Sequence, residues 1–197
     1  MRDLEIKKYQ KLNELAQPHG IVIFGGTEDT NIPLGELCQA LDMDEKMYNR
    51  SFSGLSINDA VHIYDTCLSP INPGTVLLHI GESDIEMLKN NPSDFDIEYH
   101  RLVKHIREQN KHCRIAIVSL RNYDGNTEVA EMNKHLKYIA DSEKCEFGDI
   151  SFRKVWNPKA TLETSAFIRN LGFVHPLKTP KPIYDLIRVL FCTEVYA

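Results

Sequence analysis

Four short segments hold the residues of this chain whose types and spacing could do chemistry. They are Ile21-Val22-Ile23-Phe24-Gly25-Gly26-Thr27, Asn49-Arg50-Ser51-Phe52-Ser53-Gly54, Gly81-Glu82-Ser83-Asp84 and Gly172-Phe173-Val174-His175-Pro176. Between them they offer hydroxyls at Thr27 and Ser83, glycine backbone N–H groups at Gly26 and Gly54, and an imidazole at His175. Taken alone, Gly25-Gly26-Thr27 is either ordinary loop chemistry or an anion cradle, since a strand leading through glycines into a helix aims backbone N–H groups at a ligand. A phosphate is the poorer fit. No lysine follows in the P-loop pattern, no third glycine completes a dinucleotide fingerprint, and Glu28 and Asp29 would repel a phosphate.

The remaining reactive side chains form no second site. The eight histidines are dispersed, and neither His100 with His105 nor His62 with its neighbours gives the i, i+4 spacing of a metal-binding helix. His79 interrupts an apolar strand and reads as a core histidine with a satisfied partner. Cys38, Cys67, Cys113, Cys145 and Cys192 stand singly. That pattern predicts reduced, mostly buried thiols and a cytoplasmic setting. Neither a metal nor a cofactor is expected. Trp156 is the sole tryptophan and is read as packing a loop onto the sheet.

At 197 residues the chain fits one core. Apolar residues make up 42% and charged residues 26%, the balance of a globular protein rather than a disordered one. The net charge is −5 with no basic block, which argues against a phosphate-backbone surface and nucleic acid as a partner. Met1 to Gln17 lack the uninterrupted apolar stretch of a signal peptide, and no segment reaches the ~20 apolar residues of a membrane span. Oligomeric state has no sequence signature here.

Positioning these segments falls to an alternation of strands and helices. Leu4, Ile6, Tyr9, Leu12 and Leu15 recur at helical spacing, and Pro18-His19-Gly20 ends the run. Residues 1–18 are therefore read as a helical extension and 19–197 as the domain. Ile21 to Phe24 predicts a strand buried on both faces. Ile32 to Met43 predicts a helix with Asn31 as cap and Pro33 in its first turn. A short strand over 46–50 leads to a helix from Ile57 to Cys67 with Ser56 as cap. Pro70 and Pro73 mark a loop. Strands are expected at Thr75 to Ile80, Arg114 to Leu120 and Glu146 to Ile150, and helices at Phe95 to Gln109, Glu128 to Ala140 and Ile183 to Cys192. Ser151 to Asn170 is expected to be irregular.

This alternation implies a three-layer α/β/α fold on a five-stranded parallel sheet, the flavodoxin-like class. In such folds ligands sit beyond the carboxyl ends of the strands, beside the first. All four chemical segments fall at that edge.

Their order and spacing resemble the four motif blocks of the SGNH (GDSL-type) ester hydrolases, over most of the chain from His19 onward. The resemblance implies an ester hydrolase of small acyl or acetyl esters, with a small-molecule ester or carbohydrate-type ligand. In that family a serine nucleophile occupies a Gly-Asp-Ser turn, so Thr27 takes the nucleophile's place and Gly26 the aspartate's. Gly54 matches the glycine whose N–H helps form the oxyanion hole. Ser83 stands where Gly-x-Asn-Asp carries an asparagine donor, and Asp84 is retained. His175 matches the general base of Asp-x-x-His, whereas Gly172 replaces its acid. An imidazole without that acid loses tautomer control, worth about four orders of magnitude in the serine-protease template. Glu28, Asp29, Glu82 or a backbone carbonyl near Arg169 to Leu171 would then have to substitute. The two expectations are a slow Thr-His hydrolase and a non-catalytic relative that keeps the pocket for binding.

Overall fold

Continuous apolar runs in an α/β chain become the central strands, because only there is every side chain covered from both sides. In the computed structural model, which describes residues 2–40, 46–122 and 125–151, the two strongest runs pair with each other. Strands β1 (Ile21–Gly25) and β3 (Thr75–His79) are buried throughout and parallel, in register from Ile21 opposite Thr75 to Gly25 opposite His79. The shorter β2 (Met47–Asn49) flanks β1, and β4 (Arg114–Val118) and β5 (Glu146–Gly148) extend the other side. The sheet order is β2-β1-β3-β4-β5, all parallel.

Right-handed crossovers then decide the layers. The chain steps one way from β1 to β2 and the other way from β2 through β3 and β4 to β5, so the helices divide between the faces. Helix α2 (Leu34–Ala40) lies on one face. There Leu34 meets Ile21, Ile23, Leu77, Ala116 and Val118. On the other face lie α3 (Ile57–Ile63), α5 (Pro92–Gln109) and α6 (Thr127–Ser142), whose Ile63, Leu102, Val103, Leu136 and Ile139 pack with Val22, Phe24, Val76, Leu78, Ile115 and Ile117. Strand residues alternate between the two cores with the period of the pleat.

Helix α1 (Arg2–Asn13) is docked on this body. Tyr9 is buried and its hydroxyl donates to the Ser51 carbonyl at 2.7 Å, while Asn13 Nδ2 donates to the Cys67 carbonyl at 2.9 Å. The buried Arg50 guanidinium donates to Asn13 Oδ1 at 2.7 and 3.0 Å and lies 5.1 Å from the Tyr9 ring, a cation–π contact. Burial lowers the Arg50 pKa and pushes the Tyr9 hydroxyl up to about 12. Arg2 pairs with Asp59 and donates to the Gly54 carbonyl.

Several element boundaries differ from the sequence expectation. Asn31 ends a 3-10 turn (Thr27–Asn31) instead of capping α2. Ile32 is extended, as a residue before proline must be, so α2 starts only at Leu34. The helix expected to reach Cys67 is α-helical to Ile63, then widens into a π-turn over Tyr64–Leu68 and tightens over Ser69–Ile71. An additional helix, α4 (Ile85–Asn90), precedes α5, which begins at Pro92 rather than Phe95. Pro92 suits a first turn, where its missing N–H has no partner to lose. Residues 151–170, Trp156 and the closing helix fall wholly or almost wholly outside the described residues. Cys67, Cys113 and Cys145 are free thiols. No helix among the described residues is long and apolar enough to cross a membrane.

Candidate active site

The carboxyl ends of β1 and β3 each run into the same device, a glycine followed three residues later by a buried aspartate. After β1, Gly26 leads into the 3-10 turn that carries Thr27 and Glu28 outward and Asp29 inward. After β3, Gly81 leads into the turn Glu82–Asp84, with Glu82 and Ser83 exposed and Asp84 buried. The Asp29 N–H donates to the Gly26 carbonyl at 3.2 Å, and the Asp84 N–H to the Gly81 carbonyl at 3.0 Å. Gly81 has a φ of +141°, open to glycine and strained for other residues.

Thr27 and Gly54, which lie 27 residues apart, meet here: the Gly54 N–H donates to Thr27 Oγ1 at 3.0 Å. Gly54 has a φ of +63°, a left-handed conformation that glycine adopts without a side-chain penalty. The approach is braced from behind. Gly25 N–H donates to Ser51 Oγ at 3.1 Å, and Phe52 N–H to the Gly25 carbonyl at 3.0 Å. Asn49 Nδ2 donates to the Asp29 carbonyl at 2.7 Å, and its Oδ1 accepts from the Ser51 N–H at 3.0 Å. A hydroxyl facing a backbone donor at a strand end can present a nucleophile to a polarised carbonyl.

Asp84 secures the partner wall. Its carboxylate oxygens each lie 3.1 Å from the Ile57 N–H, so Asp84 caps α3. Ser56, the cap expected from sequence, makes no such bond and instead contacts Asp59. Burial pushes the Asp84 pKa up to about 6, against the lowering effect of the Ile57 bond.

Sequence reasoning read His79 as a core residue with a satisfied partner, and its buried Nδ1 has one. Its Nδ1 lies 2.8 and 2.9 Å from the two carboxylate oxygens of Asp29, with side-chain exposures of 4% and 0%. From the sequence, Asp29 is a charge that would repel a phosphate and a possible relay for His175. Nothing local in the sequence links positions 29 and 79, although the histidine's intrusion into an apolar strand was the available signal. Glu28, a second relay candidate, pairs with Arg121 at 2.7 Å. Glu82, the third, makes no hydrogen bond or ion pair among the described residues, and its Oε2 would lie 3.0 Å from a side-chain carbon placed on Gly26.

These groups border a cavity of about 150 Å³ lined by Gly26, Glu28, Asp29, His79, Glu82 and Arg121, with Ile85, Leu120 and Val129 as its apolar wall. No group of metal-ligating side chains occurs among the described residues. His175 and Gly172 lie outside the described residues.

A five-stranded parallel sheet in this order is the flavodoxin-like doubly wound arrangement, and its likeness to solved structures makes it an SGNH hydrolase-like α/β fold. The chain is correspondingly similar to solved esterases and acylhydrolases. One is Axe2, an acetylxylan esterase from Geobacillus stearothermophilus, with a TM-score of 0.58, 16% identity and coverage of 83% of this chain and 99% of that one. A protein of Parabacteroides merdae assigned as a GDSL-like lipase matches with a TM-score of 0.55 and 12% identity over 78% and 84% of the two chains. A third, from Streptococcus pneumonia and assigned as a platelet activating factor, matches with a TM-score of 0.63 and 18% identity over 75% and 74%. No protein-family model and no curated protein sequence matches the chain. At these identities the likeness defines the fold.

Proposed function

We propose that the protein is a slow hydrolase of small acyl or acetyl esters, with Thr27 as nucleophile and His175 as general base. The Gly54 and Thr27 N–H groups, with Ser83 as a shorter donor, would receive the oxyanion. The observation that carries this reading is the 3.0 Å bond from the Gly54 N–H to Thr27 Oγ1, which puts a hydroxyl and a glycine donor from separate segments at one point. His175 takes the Thr27 hydroxyl proton as Oγ1 attacks the ester carbonyl and passes it to the departing alcohol, leaving the Thr27 ester. Water then attacks that ester and gives a proton to His175, which returns it to Thr27 Oγ1 as the carboxylic acid leaves. Of the carboxylates that could replace the acid missing at Gly172, Asp29 and Glu28 are engaged by His79 and Arg121, so Glu82 is assigned to orient His175.

Acetylated oligosaccharides are the first substrates to test, because Axe2 is described as an acetyl-xylooligosaccharide esterase. We also propose residues 1–18 as an extension on a domain of residues 19–197. A second reading, a non-catalytic relative that binds such ligands, draws on the Glu82 carboxylate beside Gly26, which would oppose a developing oxyanion.

A burst and steady-state assay with short-chain p-nitrophenyl esters tests the first reading. Turnover is expected in the unmodified protein and at background in Thr27→Ala and His175→Ala. Turnover that survives both changes, or is absent throughout, overturns it in favour of binding.

A further inference from the structure

We infer that His79 and Asp29 are positioning residues for Thr27: His79 clasps both ends of the four-residue turn, Gly26 to Asp29, that presents the hydroxyl. The inference rests on the assignment of Thr27 as nucleophile. At one end of the turn the Gly26 N–H donates to the His79 carbonyl at 3.2 Å. At the other, the His79 ring meets the Asp29 carboxylate through Nδ1 at 2.8 and 2.9 Å. An ionised carboxylate only accepts, so Nδ1 carries the proton and the tautomer is fixed.

The cost of this arrangement points to a purpose beyond packing. A fully buried carboxylate is among the least favourable occupants of a sheet edge unless it is paired, and an apolar pair would fill the same space. The surroundings are built around it. A side-chain carbon on Gly25 would fall 1.8 Å from Asp29 Oδ2, so only glycine leaves room for the carboxylate. The Asp29 main chain is also held on both sides, its N–H by the Gly26 carbonyl and its carbonyl by Asn49 Nδ2 and the Ile32 N–H. Thr27 lies between two fixed ends, with Oγ1 held on the Gly54 amide. The carboxylate the SGNH pattern places beside the nucleophile is absent at Gly26, and Asp29 supplies one from within the same turn. Glu28, Glu82 and Arg121 border the same cavity and are the charged groups that share the field of the pair.

The test compares His79→Asn, whose Nδ2 overlays Nδ1 and still donates, with His79→Leu and Asp29→Asn in the full chain labelled with ¹⁵N. Three results are expected. The unmodified protein gives a strongly downfield ring-proton resonance, absent in His79→Leu. The Gly54 amide cross-peak, which reports the bond to Thr27, stays in place in His79→Asn and moves in His79→Leu. With p-nitrophenyl acetate, kcat falls roughly 30- to 100-fold in His79→Leu at unchanged KM, the scale of a misplaced reacting group, and recovers to within several-fold in His79→Asn. Should the unmodified protein not turn over esters, the hydrolase reading fails alone and the Gly54 cross-peak still decides the role of the pair. A folded His79→Leu with an unmoved Gly54 amide and unchanged kcat overturns the inference, as does His79→Asn behaving like His79→Leu. If His79→Leu does not fold, the Gly54 cross-peak in Asp29→Asn decides: a shift supports the pair and none overturns it.

Discussion

The turns after β1 and β3 are written in one local pattern, Gly-x-x-Asp, and put it to different uses. In both, two exposed residues ride on a buried aspartate whose N–H returns to the glycine carbonyl. Asp29 then spends its carboxylate on a side chain, the His79 ring 50 positions away. Asp84 spends its own on a backbone N–H, that of Ile57 in α3. A charged or ionisable partner can answer a buried carboxylate; one amide only partly can. Burial accordingly pushes the Asp84 pKa up to about 6. The first turn is fastened to the sheet and the second to a helix, and the proposed nucleophile rides on the first.

The sharpest break in this comparison is Asp29→Ala. It leaves the His79 ring buried beside an empty acceptor site, and removal of one partner from a buried pair costs about 3–5 kcal/mol. Urea unfolding should register that loss, whereas a change near 1 kcal/mol would make the two turns equivalent. Asp84→Ala should cost less, about 1–3 kcal/mol, because it strands one amide rather than a ring.

pH separates the turns further. With a folded pKa of about 6 against an ordinary 3.8, Asp84 stays protonated in the folded chain while it ionises in the unfolded one. Its contribution to stability therefore falls as pH rises from about 4 to about 6, by at most about 3 kcal/mol, and is level above that. Asp84→Asn should flatten this segment of the stability–pH curve. An unchanged slope would show that the carboxylate is not desolvated.

Two smaller changes address the exposed positions. Thr27→Ser removes a methyl that restricts the rotamer and crowds attack, and kcat for p-nitrophenyl acetate should rise several-fold. Ser83→Ala should lower it by less than about tenfold, because the Ser83 hydroxyl is exposed and a solvated donor contributes less than a preorganised one.

Much of the fold was legible in the chain. Ile21 to Phe24 and Thr75 to Leu78 could be central strands and little else, since nothing polar interrupts them. The alternation with helices made the sheet parallel and brought the three described chemical segments to one edge. Helix ends were less legible where two rules competed. Asn31 is a good cap by type, but Pro33 forces Ile32 to be extended and displaces the start of α2. Ser56 occupies the cap position of α3, yet Asp84 reaches the first amide from another element.

By itself, then, the amino-acid order determined which segments are strands, which way the chain steps between them and which edge carries the hydroxyls and glycines, because those follow from short-range periodicity and the handedness of crossovers. Only the tertiary structure decided what each of these polar side chains answers to: Asp29 to His79, Asp84 to Ile57, Glu28 to Arg121 and Thr27 to the Gly54 amide. Those partners lie 50, 27, 93 and 27 positions apart. Polar groups withdrawn from water bind whichever donor the packed sheet brings within about 3 Å, and no local pattern records which one that is.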